Sequence, residues 1–386
     1  MKILIIHTKY QQAGGEDAVV AQEAELLQQT HQVEILYFQN QSGLKGAIQF
    51  LFSIWNKAAV KTVNRKIKTF EPDVVHLHNF HFASGPLIIR AISKIGIPLV
   101  QTLHNFRLLC PSAILLHDNQ LFLDSLKQNF PWSAIRKRVY RKSSLLTFWL
   151  AIVFWWHKKI GTFKMVDKYI CLTEFSKQLI HQSQLGIEPH QIVVKPNFTK
   201  ISEQTQVLNR ENHFLFVGRL SEEKGIDVLL AAFENSEYSL KIAGDGPLVN
   251  KVKQTASQCA NIKYLGPLSN KEVNLELIKA QALIFPSICY EGMPMTILEA
   301  FSNKTPVIAS NLGAMSSMIQ YRKNGLHFEA GNALDLKVKL SEWMNLSDSE
   351  KEQIRQETFK CYQTLYAPEQ QLQYFDDIYQ SVLKSE

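Results

Sequence analysis

The stretch FPSICYEGMPMTILEAFSNKTPVIAS, Phe285 to Ser310, decides the architecture. An apolar run ends at Phe285, a short loop carries Gly292 and Pro294, apolar residues then recur at helical spacing as far as Asn303, and PVIAS opens a second apolar run. Pro294 suits a first helical turn. Strand, tight loop, helix and strand make one βαβ unit, in which the loop sits at the carboxyl end of a parallel strand. There, free backbone amides and the helix dipole favour phosphate. Glu291 in the loop and Glu299 inside the helix can both accept hydrogen bonds from hydroxyls, which leaves amides and cations for a diphosphate.

Outward from this corner the same rhythm fills the chain, and short apolar runs alternating with amphipathic stretches mean a parallel α/β sheet. In the first half, strands are predicted at Lys2–Thr8, Val33–Phe38, Asp73–His78, Pro98–Leu103 and Lys168–Thr173. In the second half they fall at His213–Val217, Ser239–Ala243, Ile262–Leu265, Ala282–Phe285 and Pro306–Ala309. With 386 residues, the chain exceeds what one core usually supports, so two Rossmann-like domains are expected. The boundaries are 1–195 for the first domain, 196–212 for a polar linker, 213–366 for the second domain, and 367–386 for a final helix that packs back on the first domain.

The second informative segment, FVGRLSEEKGIDVLLAAF from Phe216 to Phe233, leads from a strand into an amphipathic helix. It carries Arg219 and Lys224 near the sheet's carboxyl edge, two cations able to offset the charge of a departing diphosphate without a metal. In IAGDGP, Ile242 to Pro247, Gly244 and Asp245 form a tight strand-to-helix turn, a common structural device as well as a binding one. The segment HTKYQQAGGEDAVV after the first strand sets Gly14 and Gly15 before a helix. It lacks the GxGxxG pattern and the acidic partner of a dinucleotide site, which excludes a nicotinamide dehydrogenase.

Histidines recur at His76, His78 and His81, and at His104 in TLHNFRLLCP. His76 and His78 alternate on a strand with no adjacent carboxylate, so packing is expected there and no metal site. His104, at a strand's carboxyl end, is the better cleft residue.

Composition sets the remaining bounds. Lys and Arg number 42 against 35 Asp and Glu, a formal charge of +7, which favours anionic partners. Nucleic acid is excluded for want of zinc-ligand spacing, a basic zipper or a long cationic run. The five cysteines are dispersed, as in a reducing compartment, and MKILIIHTKY reads as a strand. A cytoplasmic location is therefore expected. Leu145–Trp156 is too short to span a bilayer, which needs roughly 20 apolar residues. Within Arg136–Lys168, however, basic and aromatic residues flank it, a pattern shared by core helices and by helices lying on the inner face of an anionic membrane.

VGRLSEEKG, IAGDGP and EGMPMTILEA in this order, with AGGED and TLHNFRLLCP ahead of them, resemble the retaining glycosyltransferases of family 4, across nearly the whole chain. The resemblance implies the GT-B fold, in which two Rossmann-like domains with parallel sheets face each other across a cleft. It further implies a nucleotide-diphosphate sugar as donor, most simply a UDP-hexose or UDP-N-acetylhexosamine with GDP-mannose second, and a glycan or lipid-linked acceptor in surface polysaccharide synthesis. No cofactor or metal is implied, the nucleotide sugar being a substrate.

By position, Arg219 and Lys224 would neutralise the diphosphate, Glu299 would bind the ribose, and Glu291 would hold the transferred sugar. The turn of Gly292, Met293, Pro294 and Met295 would set its amides near the phosphate or sugar, Gly244 and Asp245 would flank the donor, Gly15 would approach phosphate or acceptor, and His104 would face the sugar. Retention of configuration then follows from front-face displacement. Met293 and Met295 depart from the family's usual residues, which points to an unusual sugar pocket. The competing readings are a GT-B sugar-nucleotide 2-epimerase and a non-catalytic sugar-nucleotide-binding subunit.

Overall fold

The computed structural model describes residues 1–11, 14–201 and 210–383. Ala13 of the AGGED segment, residues 202–209 of the expected linker and the last three residues of the expected final helix lie outside them. The chain divides into two units, one comprising Met1–His117, Phe122–Asn197 and Glu369–Glu386, the other Asp118–Leu121 and Phe198–Pro368.

The first unit is built on six parallel strands: β1 (Lys2–Lys9), β2 (Gln32–Gln39), β3 (Val74–Leu77), β4 (Leu99–Leu103), β5 (Lys168–Cys171) and β6 (Ile192–Val194). They lie in the order β2-β1-β3-β4-β5-β6. Ile3 to Ile6 of β1 are all fully buried, because a parallel strand is covered on both faces and so reads as an unbroken apolar run. β6 was not expected from the sequence, since two valines followed by a polar tract carry little periodic signal.

The second unit repeats the plan with β7 (His213–Val217), β8 (Ser239–Ala243), β9 (Ile262–Gly266), β10 (Leu283–Phe285), β11 (Val307–Ser310) and β12 (Gly325–Phe328). The order is β9-β8-β7-β10-β11-β12, all parallel. This is the doubly wound order in which the winding reverses between the first and fourth strands, and ligands bind outside the carboxyl ends of the strands at that reversal. In this unit the reversal lies between β7 and β10, the strands that lead into the Arg219 and Glu291 loops. The four-residue edge strand β12, opened by a glycine, also escaped the sequence reading.

Six helices matter for function: α1 (Gly15–Leu27), α2 (Gly43–Phe52), α3 (Ser144–Lys159), α4 (Ile226–Phe233), α5 (Met295–Ser302) and α6 (Pro368–Leu383). α3 buries Leu150, Ala151, Val153 and His157 in the first unit while Leu145 stays 75% exposed. α2 buries no residue at all. Phe375, Ile378 and Tyr379 of α6 are buried within the first unit. Among the described residues no helix is long and apolar enough to cross a membrane.

Candidate active site

Three loops of the second unit meet where its sheet reverses. The turn after β8 is pressed against the loop after β7: Leu220 N donates to the Asp245 carbonyl at 2.8 Å, and a Cβ on Gly244 would lie 1.8 Å from the Gly218 carbonyl oxygen. Gly244 also has φ +140°, so only glycine fits there. Gly225 is held as closely, because a Cβ would lie 1.9 Å from the Pro286 carbonyl at φ +70°. It opens α4 and brings Lys224 up to the loop after β10. The glycines of both motifs therefore fix loop against loop.

At this junction Lys224 Nζ donates to Glu291 Oε1 at 2.7 Å, and Ser287 Oγ donates to the same oxygen, also at 2.7 Å. Burial works to lower the Lys224 pKa, but the Glu291 carboxylate together with its neighbours Cys289 and Glu223 holds the ammonium above its usual value. The lysine is a fixed cation. Burial pushes the neighbouring Cys289 thiol up to about 12, with the Glu291 charge adding to the effect, so it stays protonated and is no nucleophile. Arg219 is exposed and has no partner among the described residues. It lines a cavity with Lys224, Phe285, Pro286 and Ser287. A free guanidinium and a paired ammonium lining one cavity can compensate anionic charge.

Pro294 forms the N-cap of α5, with no side chain capping the helix, so first-turn amides stay available for an anion. Met293 and Pro294 are buried, while Gly292 and Met295 are half-buried. Burial raises the Glu299 pKa, and its carboxylate has no hydrogen-bond partner among the described residues. Among the described residues no hydrogen bond or ion pair joins Glu299 to the Lys224–Glu291 pair. Asp245 is exposed and accepts from Gly246 N at 2.8 Å. Thus Arg219 and Lys224 share a cavity, Lys224 pairs with Glu291, and the Gly244–Asp245 turn packs on the loop that carries Arg219, whereas Glu299 makes no hydrogen bond to any of them. Ser287 was missed by the sequence reading, being a serine in a loop with no motif of its own.

In the first unit, Gly14 caps α1, and a Cβ on either Gly14 or Gly15 would meet nothing within 4 Å. Nothing in the described fold requires these glycines. Asp17 accepts from Gly14 N at 3.1 Å and pairs with His7 Nε2 at 2.7 Å. The expectation that His76 and His78 lack a carboxylate neighbour is corrected by the structure. Glu23, on α1, lies with both, and the possible ligand atoms of the three fall within 4.8 Å of one another. The carboxylate comes from the helix covering the strand, invisible to local spacing. Lys195 Nζ, however, donates to Glu23 Oε1 at 3.1 Å, and both His76 nitrogens are engaged, by Tyr379 and Thr102. A cation is therefore already in place. His104 Nε2 lies 2.9 Å from His78 Nδ1, and burial lowers the His104 pKa to about 4.

Comparison with known proteins agrees with this architecture. Residues 13–203 match the Glycosyltransferase Family 4 model, and residues 197–360 match Glycosyl transferases group 1. The chain is 30% identical to an uncharacterised glycosyltransferase of Methanocaldococcus jannaschii, over 46% of this chain and 50% of that protein. It is 29% identical to the O-antigen chain mannosyltransferase C of Escherichia coli, over 36% of this chain and 37% of that one. The chain thus spans half or less of these curated relatives. Among solved structures, Anabaena HepE in complex with UDP superposes with a TM-score of 0.68 at 17% identity, covering 99% of this chain and all of that one. The two family matches run together from residue 13 to residue 360 over two doubly wound sheets, and the chain belongs to the family 4 and group 1 glycosyltransferases of GT-B fold.

Proposed function

We propose that the chain is a retaining transferase that moves a hexose or N-acetylhexosamine from a UDP-sugar to a lipid-linked glycan acceptor in surface polysaccharide synthesis. The observation that carries this reading is the Lys224–Glu291–Ser287 cluster beside the unpartnered Arg219, at the reversal of the second sheet. In it, Arg219 and Lys224 take the diphosphate, and as Lys224 turns to phosphate Glu291 is freed to accept from sugar hydroxyls. The N–H groups of Gly292, Met293 and Met295 complete the cradle, with Pro294 shaping the turn between them, Glu299 binds the ribose, and the Gly244–Asp245 turn flanks the donor. Gly15 lets a phosphate or the acceptor approach the α1 backbone, and His104 receives a sugar hydroxyl.

Transfer breaks the bond from the anomeric carbon to the phosphate oxygen and forms one from that carbon to the acceptor oxygen on the same face. The acceptor proton passes to the departing phosphate oxygen, so no protein nucleophile is called for. Charge compensation by the two cations, together with positioning, supplies the rate. The UDP named with HepE supports a UDP-sugar and the mannosyltransferase relative keeps GDP-mannose second; the O-antigen enzyme supports the acceptor class.

A peripheral place on the cytoplasmic face of the membrane is supported by apolar side chains of the first unit that nothing covers. Leu44 is 79%, Phe52 64% and Leu145 75% exposed, and Gly46, Phe50, Tyr140, Arg141, Leu145 and Trp149 line a cavity of about 390 Å³.

The test exposes the protein to UDP-glucose, UDP-N-acetylglucosamine and GDP-mannose and follows the thermal midpoint. A donor at 100 times its dissociation constant adds about 2.7 kcal/mol. Nucleotide diphosphate should then appear in proportion to added lipid-linked acceptor. Conversion of the donor without acceptor would mark an epimerase, and no stabilisation by any nucleotide sugar would end the proposal.

A further inference from the structure

Beneath the first sheet's carboxyl edge runs a chain of buried polar groups. Lys195, just past β6, is fully buried, and its ammonium also donates to the Pro196 carbonyl and to Gln371 Oε1 on α6. Glu23, equally buried, receives Lys195 on one oxygen and faces His78 Nε2 with the other at 3.5 Å. At that distance the two facing atoms form no hydrogen bond with each other, and neither has a hydrogen-bond partner elsewhere among the described residues. His78 Nδ1 then meets His104 Nε2 at 2.9 Å. His104 Nδ1 has no partner among the described residues, and the ring lines a small cavity with Asn79, Asn105 and Glu16.

Such a chain has a direction. A carboxylate oxygen presents only negative charge and lone pairs to the nitrogen it faces, so the His78 nitrogen facing Glu23 is the one that carries the proton. The other His78 nitrogen is then a bare acceptor, and between two neutral rings a single hydrogen serves the contact, so it belongs to His104 Nε2. His104 Nδ1 is left as a lone pair. His76 imposes no direction of its own, because its partners, the Tyr379 and Thr102 hydroxyls, can each donate or accept. Burial holds both His78 and His104 neutral near pH 7.

We propose that the buried Lys195–Glu23 pair sets the tautomers of His78 and His104, so that His104 presents Nδ1 as a hydrogen-bond acceptor to a substrate hydroxyl. Glu23 and His78 are thus positioning residues for the proposed transfer, and this consequence rests on that function, whereas the tautomers do not.

Glu23→Gln makes the idea testable. The glutamine oxygen stays with the Lys195 ammonium, its NH₂ takes the position facing His78 Nε2, and both rings invert. His104 then offers a donor where the substrate needs an acceptor. In full-length protein carrying ¹⁵N-labelled histidine rings, long-range ¹H–¹⁵N spectra, assigned by the loss of signals in His104→Gln, should show wild-type His78 and His104 protonated on Nε2. Glu23→Gln should move both protons to Nδ1 and lower kcat/KM by about tenfold, the worth of one hydrogen bond.

A wild-type His104 protonated on Nδ1 would overturn the proposal even if Glu23→Gln fails to fold. So would unchanged tautomers in a folded variant, or stoichiometric Zn²⁺ uptake by wild-type protein that shifts the His76 and His78 signals. The expected tautomers in a protein that binds no nucleotide sugar would leave the relay standing and remove the transferase reading.

Discussion

At the residue scale, Arg219 and Lys224 should separate in their effects although they share a cavity. Arg219 is exposed and unpaired, so Arg219→Ala should leave thermal unfolding unchanged while costing about 2–4 kcal/mol of transition-state stabilisation, as for a preorganised charge donor. Steady-state kinetics beside calorimetry decide it, and wild-type turnover would remove Arg219 from the site. Lys224→Ala differs in kind, because it leaves the half-buried Glu291 carboxylate without a cation, held only by the neutral Ser287 hydroxyl and Cys289 thiol. How far these residues were legible depends on where their partners lie in the chain. VGRLSEEKG and EGMPMTILEA carried Arg219, Lys224 and Glu291 because a glycine or proline turn at a strand end leaves a local pattern. Ser287, the Glu23 carboxylate beside the histidines and the buried Lys195 left none, since tertiary packing alone assembles them.

At the element scale, the strands His213–Val217 and Ser239–Ala243 begin and end where the sequence puts them, because buried parallel strands are unbroken apolar runs bounded by polar residues or glycine. Edge strands such as Ile192–Val194 bury less and show less. The final helix α6 displays its apolar stripe openly, but only packing reveals what the stripe covers. Phe375 is fully buried, with the Lys195 ammonium 4.1 Å from its ring centre and the Tyr379 ring stacked at 5.8 Å. Phe375→Ala should cost about 3–5 kcal/mol in denaturant unfolding, and a loss below about 1 kcal/mol would mean that α6 is not integral to the first unit. The segment around Leu145 was ambiguous because one helix does both things, burying Leu150 and Val153 while exposing Leu145 and Trp156. Exposed apolar residues near Arg141 and Lys142 should carry the protein onto anionic vesicles at low salt in a sedimentation assay. Leu44→Ser with Leu145→Ser should abolish that binding, and a wild-type protein that stays in the supernatant would assign the surface to something other than membrane.

At the scale of the whole molecule, the histidines make stability depend on pH in a direction that the structure fixes. In the first unit, burial holds His7, His76, His78, His81 and His104 below their ordinary value. In the second, burial and the neighbouring Lys241 bring His213 to about 4, although Glu211 and Glu276 beside it pull the other way. The unfolded chain takes up these protons near pH 6.5, and the folded chain only well below it. Between those values the unfolded state binds more protons, so stability is fully present above pH 6.5 and is lost as pH falls towards 4. The histidine contribution should therefore be level from pH 8 to 7 and lower the thermal midpoint from 6.5 to 5, outnumbering the one buried Glu16 carboxyl, which burial pushes up to about 8 and which adds stability as the pH falls from 8. His213→Gln, which cannot take up the proton, should flatten the part of that fall that His213 contributes, leaving the share of His327, which burial also lowers. A midpoint level down to pH 5 would mean that these rings are charged or solvated in the fold, and a charged His78 would carry protons on both nitrogens, leaving no tautomer for Glu23 to set.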